Sequence, residues 1–356
     1  MKRLLTALSL LLFTFGTGVP ACAPRNEWRE LNDESVSLYR QGQYDRGVVV
    51  AKKALQVAEH AVGPDDPIVA TSLNILGLLY VAQGQYAQAE PLYKRALAIN
   101  ENALGPDHPT VATGLNNLAG VYMAQGQYAE AEPLYKGALA IREKTLGSDH
   151  PDVGQSLNNL ALLYDDQGNY AQAEPLYNRA LAIFDNSLGP DHPTVATGLN
   201  NLAGVYKAQG QYAEAERLCR RALAIDEKAL GSNHPDVAKD LNNIAELCRA
   251  QGQYAQAEPL YKRALVIREN TLGSDHPDVG QSLNNLALLY DTQEKYAEVE
   301  PLYKRALAIN EKALGPDHPT VATCLENLAA LYRMTNRAEE AEVLAKRAAA
   351  IRTIKR

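Results

Sequence analysis

Thirteen residues from Gly105, GPDHPTVATGLNN, bring together Asp107, His108, Thr110, Thr113, Asn116 and Asn117. A carboxylate, an imidazole, hydroxyls and carboxamides at this density are the ingredients of a metal site or an acid–base centre. Close variants of the string start at Gly147, Gly189, Gly231, Gly273 and Gly315, so whatever it does is done repeatedly. Zinc needs several ligands at about 2.0–2.3 Å from one ion, whereas packed helices lie about 8–10 Å apart. His108, His150, His192, His234, His276 and His318 therefore cannot share an ion along their row, and none has a cysteine or second histidine beside it. In the preceding unit Asp66 takes the same place. The chain offers no nucleophile next to a base and no phosphate loop either, so no metal, no cofactor and no enzymatic activity is expected.

The elements that carry these residues follow from the 42-residue shift at which nearly all of the chain after residue 26 aligns with itself. Val111, Leu115, Leu118, Ala119 and Tyr122 fall at spacings of three and four, one face of a helix, and Tyr128, Ala131, Leu134, Tyr135, Ala138 and Ile141 do the same for a second. Gln125-Gly126-Gln127 supplies a short turn between them. Leu104-Gly105-Pro106 predicts a helix stop with glycine in a left-handed cap, and His108-Pro109 predicts the next start. Asp107 would then sit favourably beside a positive helix end. On the second helices, Glu90 and Lys94, Glu132 and Lys136, Glu216 and Arg220, Glu258 and Lys262, Glu300 and Lys304, and Glu342 and Lys346 stand four apart and predict an ion-paired solvent face. The 19 tyrosines, against 3 Phe and 1 Trp, occupy three fixed positions of the unit with Tyr39 left over, as packing residues would. Pro91, Pro133, Pro175, Pro259 and Pro301 lie inside second helices and suggest a bend there.

Leu115, Leu118, Ala119, Tyr122, Gly126, Tyr128, Ala131, Tyr135 and Ala138 match the signature positions of the tetratricopeptide repeat, with Leu115 where that family often has Trp. The period, the HP start and the LNNLA and EAEPLYKRALAI helices resemble the long variant found in kinesin light chains. This resemblance covers residues 27–352 and implies an all-α, right-handed superhelical α-solenoid of about eight hairpins, followed by a tail at 353–356. Its first hairpin departs from the pattern at Glu34, Ser35, Gly47 and Ala51 and its last at Ala338, as capping units do.

The asparagine pairs call for an explanation, because Asn is a poor helix former at up to about 0.7 kcal/mol against Ala. They are Asn116 with Asn117, Asn158 with Asn159, Asn200 with Asn201, Asn242 with Asn243, and Asn284 with Asn285. The family resemblance implies that first helices line a concave groove and that such carboxamides bind the main chain of an extended peptide. A ladder of hydrogen bonds between neighbouring first helices accounts for them equally well. Lys239 adds positive charge near Asn242 and Asn243. The expected partner is thus a protein or peptide of unspecified identity. The alternative is a structural or self-associating envelope protein acting through its convex face. Nucleic acid is not expected, since the formal charge of −7 falls to −9 without Lys2 and Arg3.

Those two residues open a stretch that resembles an export signal, with an apolar run from Leu4 to Phe15 and a small-residue end over residues 1–21. Val19-Pro20-Ala21-Cys22 resembles the lipobox of bacterial lipoproteins, with Pro20 departing from it, and Ala21-Cys22-Ala23 also fits an ordinary signal-peptidase site. Export to the bacterial cell envelope is expected on either reading, with residues 22–26 as a short tether; the lipobox adds a lipid anchor on Cys22 as the only membrane contact. Cys219 and Cys248 both replace repeat tyrosines and lie equally far from the loop between their helices, which predicts a disulfide in an oxidising compartment. If Cys22 carries the anchor, Cys22→Ser moves the protein from membrane to soluble fractions on ultracentrifugation, and unchanged partitioning refutes the anchor.

Overall fold

The computed structural model describes residues 23–354, which fold into sixteen helices arranged as eight hairpins. Four hairpins form one compact unit up to Gly189 and four form a second from Pro190. The first unit pairs α1 (Ala23–Arg40) with α2 (Tyr44–Val62), α3 (Pro67–Ala82) with α4 (Tyr86–Leu104), α5 (Pro109–Ala124) with α6 (Tyr128–Leu146), and α7 (Pro151–Asp166) with α8 (Tyr170–Leu188). The second pairs α9 (Pro193–Ala208) with α10 (Tyr212–Leu230), α11 (Pro235–Ala250) with α12 (Tyr254–Leu272), α13 (Pro277–Asp291) with α14 (Tyr296–Leu314), and α15 (Pro319–Met334) with α16 (Ala338–Thr353). Helix α1 starts at Ala23, within the stretch expected as a tether. Cys22 and residues 1–21, expected to be an export signal, lie outside the described residues. Among the described residues no helix is long and apolar enough to cross a membrane.

The repeated string is where each hairpin starts. His108 has extended backbone geometry, and its Nδ1 accepts the backbone N–H of Thr110 at 3.2 Å while Pro109 opens the helix. An N-terminal donor without an intrahelical partner is thereby satisfied. His150, His192, His234, His276 and His318 cap their helices in the same way. In α3 the Asp66 carboxylate accepts from Ile68 N–H at 2.9 Å, which shows that the position requires an acceptor rather than an imidazole. Asp107 meets Lys144 at 2.6 Å across its own hairpin.

Glycines end the second helices by a different geometry from the expected left-handed one. Gly105 has φ 87° and ψ 155°, a region essentially closed to side-chain-bearing residues. The row from Gly63 to Gly315 at that position holds only glycine. The turn row, by contrast, is left-handed and admits Glu294 (φ 59°) and Asn336 (φ 61°) in place of glycine. The second helices continue without a break through Pro91, Pro133, Pro175, Pro259 and Pro301.

Within a unit, each internal first helix packs against its own second helix and the second helix before it. Ala112, Ala119, Ala131 and Ala138 are fully buried, which lets the backbones approach closely. Tyr93, Tyr135, Tyr177, Tyr261 and Tyr303 fill the space between with rings at most 2% exposed; each such side chain contributes roughly 1.5–3 kcal/mol. At the start of the array Trp28 closes the core, its Nε1–H donating to Ser72 Oγ at 2.7 Å. His150→Ala is expected to cost about 0.5–2 kcal/mol, as loss of an N-cap does. His150→Asp, copying Asp66, should leave the thermal unfolding midpoint close to that of the parent.

Candidate functional site

First helices of one unit lie side by side, and the carboxamides join them. In the second unit Asn243 donates to Asn200 at 3.0 Å, Asn285 to Asn242 at 3.3 Å and Asn327 to Asn284 at 2.8 Å. Asn242 also donates to the Ala238 carbonyl at 2.8 Å and to Ser282 Oγ at 3.4 Å. In the first unit Asn116 reaches Ser156 Oγ at 3.4 Å, and Asn159 accepts from Gln155 at 3.2 Å. Asn116, Asn117, Asn158, Asn159, Asn200 and Asn242 are buried, whereas Asn201, Asn243, Asn284 and Asn285 are half-buried and border solvent. The first asparagine of a pair thus belongs mainly to the interior and the second, in the second unit, to the surface.

Lys239 is half-buried on α11, with its ammonium 3.3 Å from Asp236. Burial disfavours its charge, but Asp236, Asp240 and Asp226 outweigh this and hold it above the ordinary lysine range. On the same face Lys207 of α9 pairs with Glu246 of α11 at 2.8 Å. Cys219 and Cys248 are both buried and no disulfide joins them. Equal distance from a loop sets the height of two residues on adjacent helices but not the gap between them, and interaxial distances of about 8–10 Å commonly exceed what a disulfide spans.

A second polar row escapes inspection of the first helices. Asn100, Arg142, Asp226, Arg268 and Asn310 lie near the ends of second helices and are all buried. Arg142, 1% exposed, donates to the Asp152 carbonyl at 2.9 Å, to Ser156 Oγ at 3.0 Å and to Thr113 Oγ at 3.2 Å, tying α6 to α5 and α7. Burial lowers its guanidinium below the ordinary arginine range. Arg268 repeats the arrangement with Asp278 and Ser282 at 3.0 and 2.9 Å. Where the row carries Phe184, Gly154 faces it, and a Cβ there would meet the ring at 2.6 Å. The signal was available, because Ala131, Tyr135, Ala138 and Arg142 form one apolar stripe with a charge on it.

The outer edge of each joint carries the anticipated ion pairs, such as Glu132 with Lys136 at 2.6 Å and Glu258 with Lys262 at 2.7 Å. The same carboxylates receive tyrosine hydroxyls from the next hairpin: Tyr164 donates to Glu132 at 2.8 Å and Tyr290 to Glu258 at 3.0 Å. Glu300 accepts from Lys304, Arg337 and Tyr332, and these donors hold it down at about 2.

Interlocked helical hairpins whose first helices are hydrogen-bonded side by side within each unit define a helical repeat protein. The tetratricopeptide repeat model matches residues 32–102, 73–121, 110–186, 164–223, 194–270, 240–312 and 294–354, and the chain belongs to that family. No curated protein matches it. Among solved structures it is similar to nearly identical repeats of a Podosopora anserina protein classed with kinesin light chains, at 33% identity over 58% of this chain and 97% of that one, with a TM-score of 0.48. BtubC (BKLC) from P. vanneervenii is 23% identical over 71% of this chain and 94% of its own, with a TM-score of 0.50. A Rap protein complexed with Competence and Sporulation Factor is 16% identical over 92% and 98%, with a TM-score of 0.59, a likeness of fold.

Replacing Asn242 by Ala removes the acceptor of Asn285 and the donor to Ser282. Each hydrogen bond so lost contributes about 0.5–1.5 kcal/mol, so the urea midpoint should fall measurably; no shift would show that the ladder contributes nothing to the joint.

Proposed function

We propose that the chain is an exported scaffold that binds extended peptide segments along the first-helix face of its hairpins. The observation that carries this reading is the recurrence of half-buried carboxamides, Asn201, Asn243, Asn284 and Asn285, on successive first helices of one unit. A carboxamide donates and accepts together, so a row of them suits a main chain whatever its side chains. Asn243 and Asn285 each use an amide hydrogen in the ladder, and the other is the one a peptide carbonyl would take. Lys239, Lys207 and Glu246 on the same helices would select among sequences by charge. The buried asparagines of the first unit, Asn116, Asn117, Asn158 and Asn159, would act by holding the face in register.

Membership of the tetratricopeptide family supports a binding role rather than a catalytic one, and a protein of the same fold has been crystallised with Competence and Sporulation Factor. The leader at residues 1–21 supports a place in the bacterial envelope, with Cys22 as its anchor. Selection of a random peptide library on the purified protein tests the reading. Recovered peptides should lose about tenfold or more in affinity for an Asn243→Ala/Asn285→Ala variant whose helical content at the assay temperature equals the parent's, the loss of two ladder bonds lowering only its unfolding midpoint. Undiminished binding would move the site to another surface, with the outward second-helix face as the next candidate.

A further inference from the structure

Four joints between consecutive hairpins share one fastening. A tyrosine on the later first helix donates to a glutamate on the earlier second helix: Tyr122 to Glu90, Tyr164 to Glu132, Tyr290 to Glu258 and Tyr332 to Glu300. Behind it, at three of them, a buried polar side chain of the second helix donates to a small residue of the next first helix. These pairs are Arg142 with Ser156, Arg268 with Ser282, and Asn310 with Cys324.

The joint between α10 and α11 has neither. Cys248 stands where the tyrosine would be, and Glu216 pairs with Arg220 of its own helix at 2.6 Å. At the inner position two carboxyl groups replace the donor and the hydroxyl. Asp226 takes the arginine place and Asp240 the serine place, at 1% and 0% exposure and within hydrogen-bonding reach of each other. Two ionised carboxylates have only acceptors to offer one another, so their contact needs a proton between them. Asp240 Oδ1 accepts from Asn200 of α9 at 2.5 Å, while Asp226 Oδ1 and Asp240 Oδ2 have no hydrogen-bond partner in the protein. The other charged groups around the pair are Asp236 and Lys239 of α11 and His234 in the preceding loop. Asn200 also accepts from Asn243, so the pair is continuous with the surface ladder.

We infer that the α10–α11 joint is a proton-operated latch, in which one proton held between Asp226 and Asp240 fastens the fifth hairpin to the sixth and its loss to solvent releases them. Burial raises both carboxyls, Asp240 to about 8, against the opposing charge of Lys239. A carboxyl raised in the folded state contributes stability that is complete below its unfolded value near ~3.9 and is lost as pH climbs through the folded one. The latch therefore holds at neutral pH and opens in mild alkali, the reverse of the acid sensitivity of Glu132, Glu258 and Glu300, whose donors hold them low.

Cys219 and Cys248, on α10 and α11 and at most 2% exposed, report the opening locally, and the buried Cys324 serves as a reference elsewhere in the unit. The full chain is alkylated with iodoacetamide from pH 7 to pH 9 and each site is quantified by peptide mass spectrometry. The ratio of Cys248 to Cys324 labelling should rise about tenfold in the parent, following the open population. It should stay flat in Asp240→Asn and in Asp226→Asn, whose amides donate without a titrating proton. A flat ratio in the parent overturns the latch even if neither variant folds, and an equal rise in parent and variants overturns it too. Because no peptide is involved, the outcome is independent of the binding reading above.

Discussion

The structure depends on one constraint: no hairpin can bury its first helix alone. An internal first helix such as α5 needs its own second helix on one side and the preceding one on the other, and Val111, Ala112, Leu118, Ala119 and Val121 leave solvent only when both are in place. Stability in such an array is a sum of hairpin terms and neighbour terms. Boundaries must therefore be sharp, since a helix that ran on by one turn would displace the next contact. A capping histidine or aspartate with proline at the start of each first helix from α3 onward, and a glycine in a conformation closed to other residues at the stop of each second helix up to α14, supply that sharpness.

Much of the individuality of the internal hairpins sits at the joints. The hairpins are close copies, yet the residue at the Arg142 position is Asn, Arg, Phe, Asp, Arg and Asn from the second hairpin to the seventh. Its surroundings change with it: Gly154 makes room for Phe184, Ser156 accepts from Arg142, and Gly280 packs beneath Asn310. A hairpin exchanged between positions would keep its own fold and lose its fit to the neighbour. Four joints are fastened by a tyrosine on a glutamate, whereas the α10–α11 joint has a thiol and a pair of acids, so resistance to acid and to alkali differs along one unit.

Much of this was legible in the sequence because a fixed period turns position into environment. The helices, the turns, the three tyrosine rows and the Glu–Lys pairs all follow from spacing, and the structure holds them where the spacing puts them. The role of His108 was harder to read, since Asp107 beside it has the more familiar capping side chain; Asp66, alone at the histidine position, was the clue. The asparagine pairs stayed ambiguous because adjacent residues on a helix point about 100° apart, and only the distances separate the inward member from the outward one. Cys219 and Cys248 illustrate the opposite limit: spacing gave their level on the helices, but a disulfide is decided by a separation that spacing does not encode.

The polar ladder makes the first-helix face both a structural seam and a surface, and the account rests on that surface being the one a ligand covers. Hydrogen–deuterium exchange, measured with and without a peptide selected on the protein, tests this most directly. The account predicts added protection in α9, α11 and α13, centred on Asn201, Asn243 and Asn285, with second-helix amides unchanged. Protection concentrated instead on the outward faces of α10, α12 and α14 would contradict it.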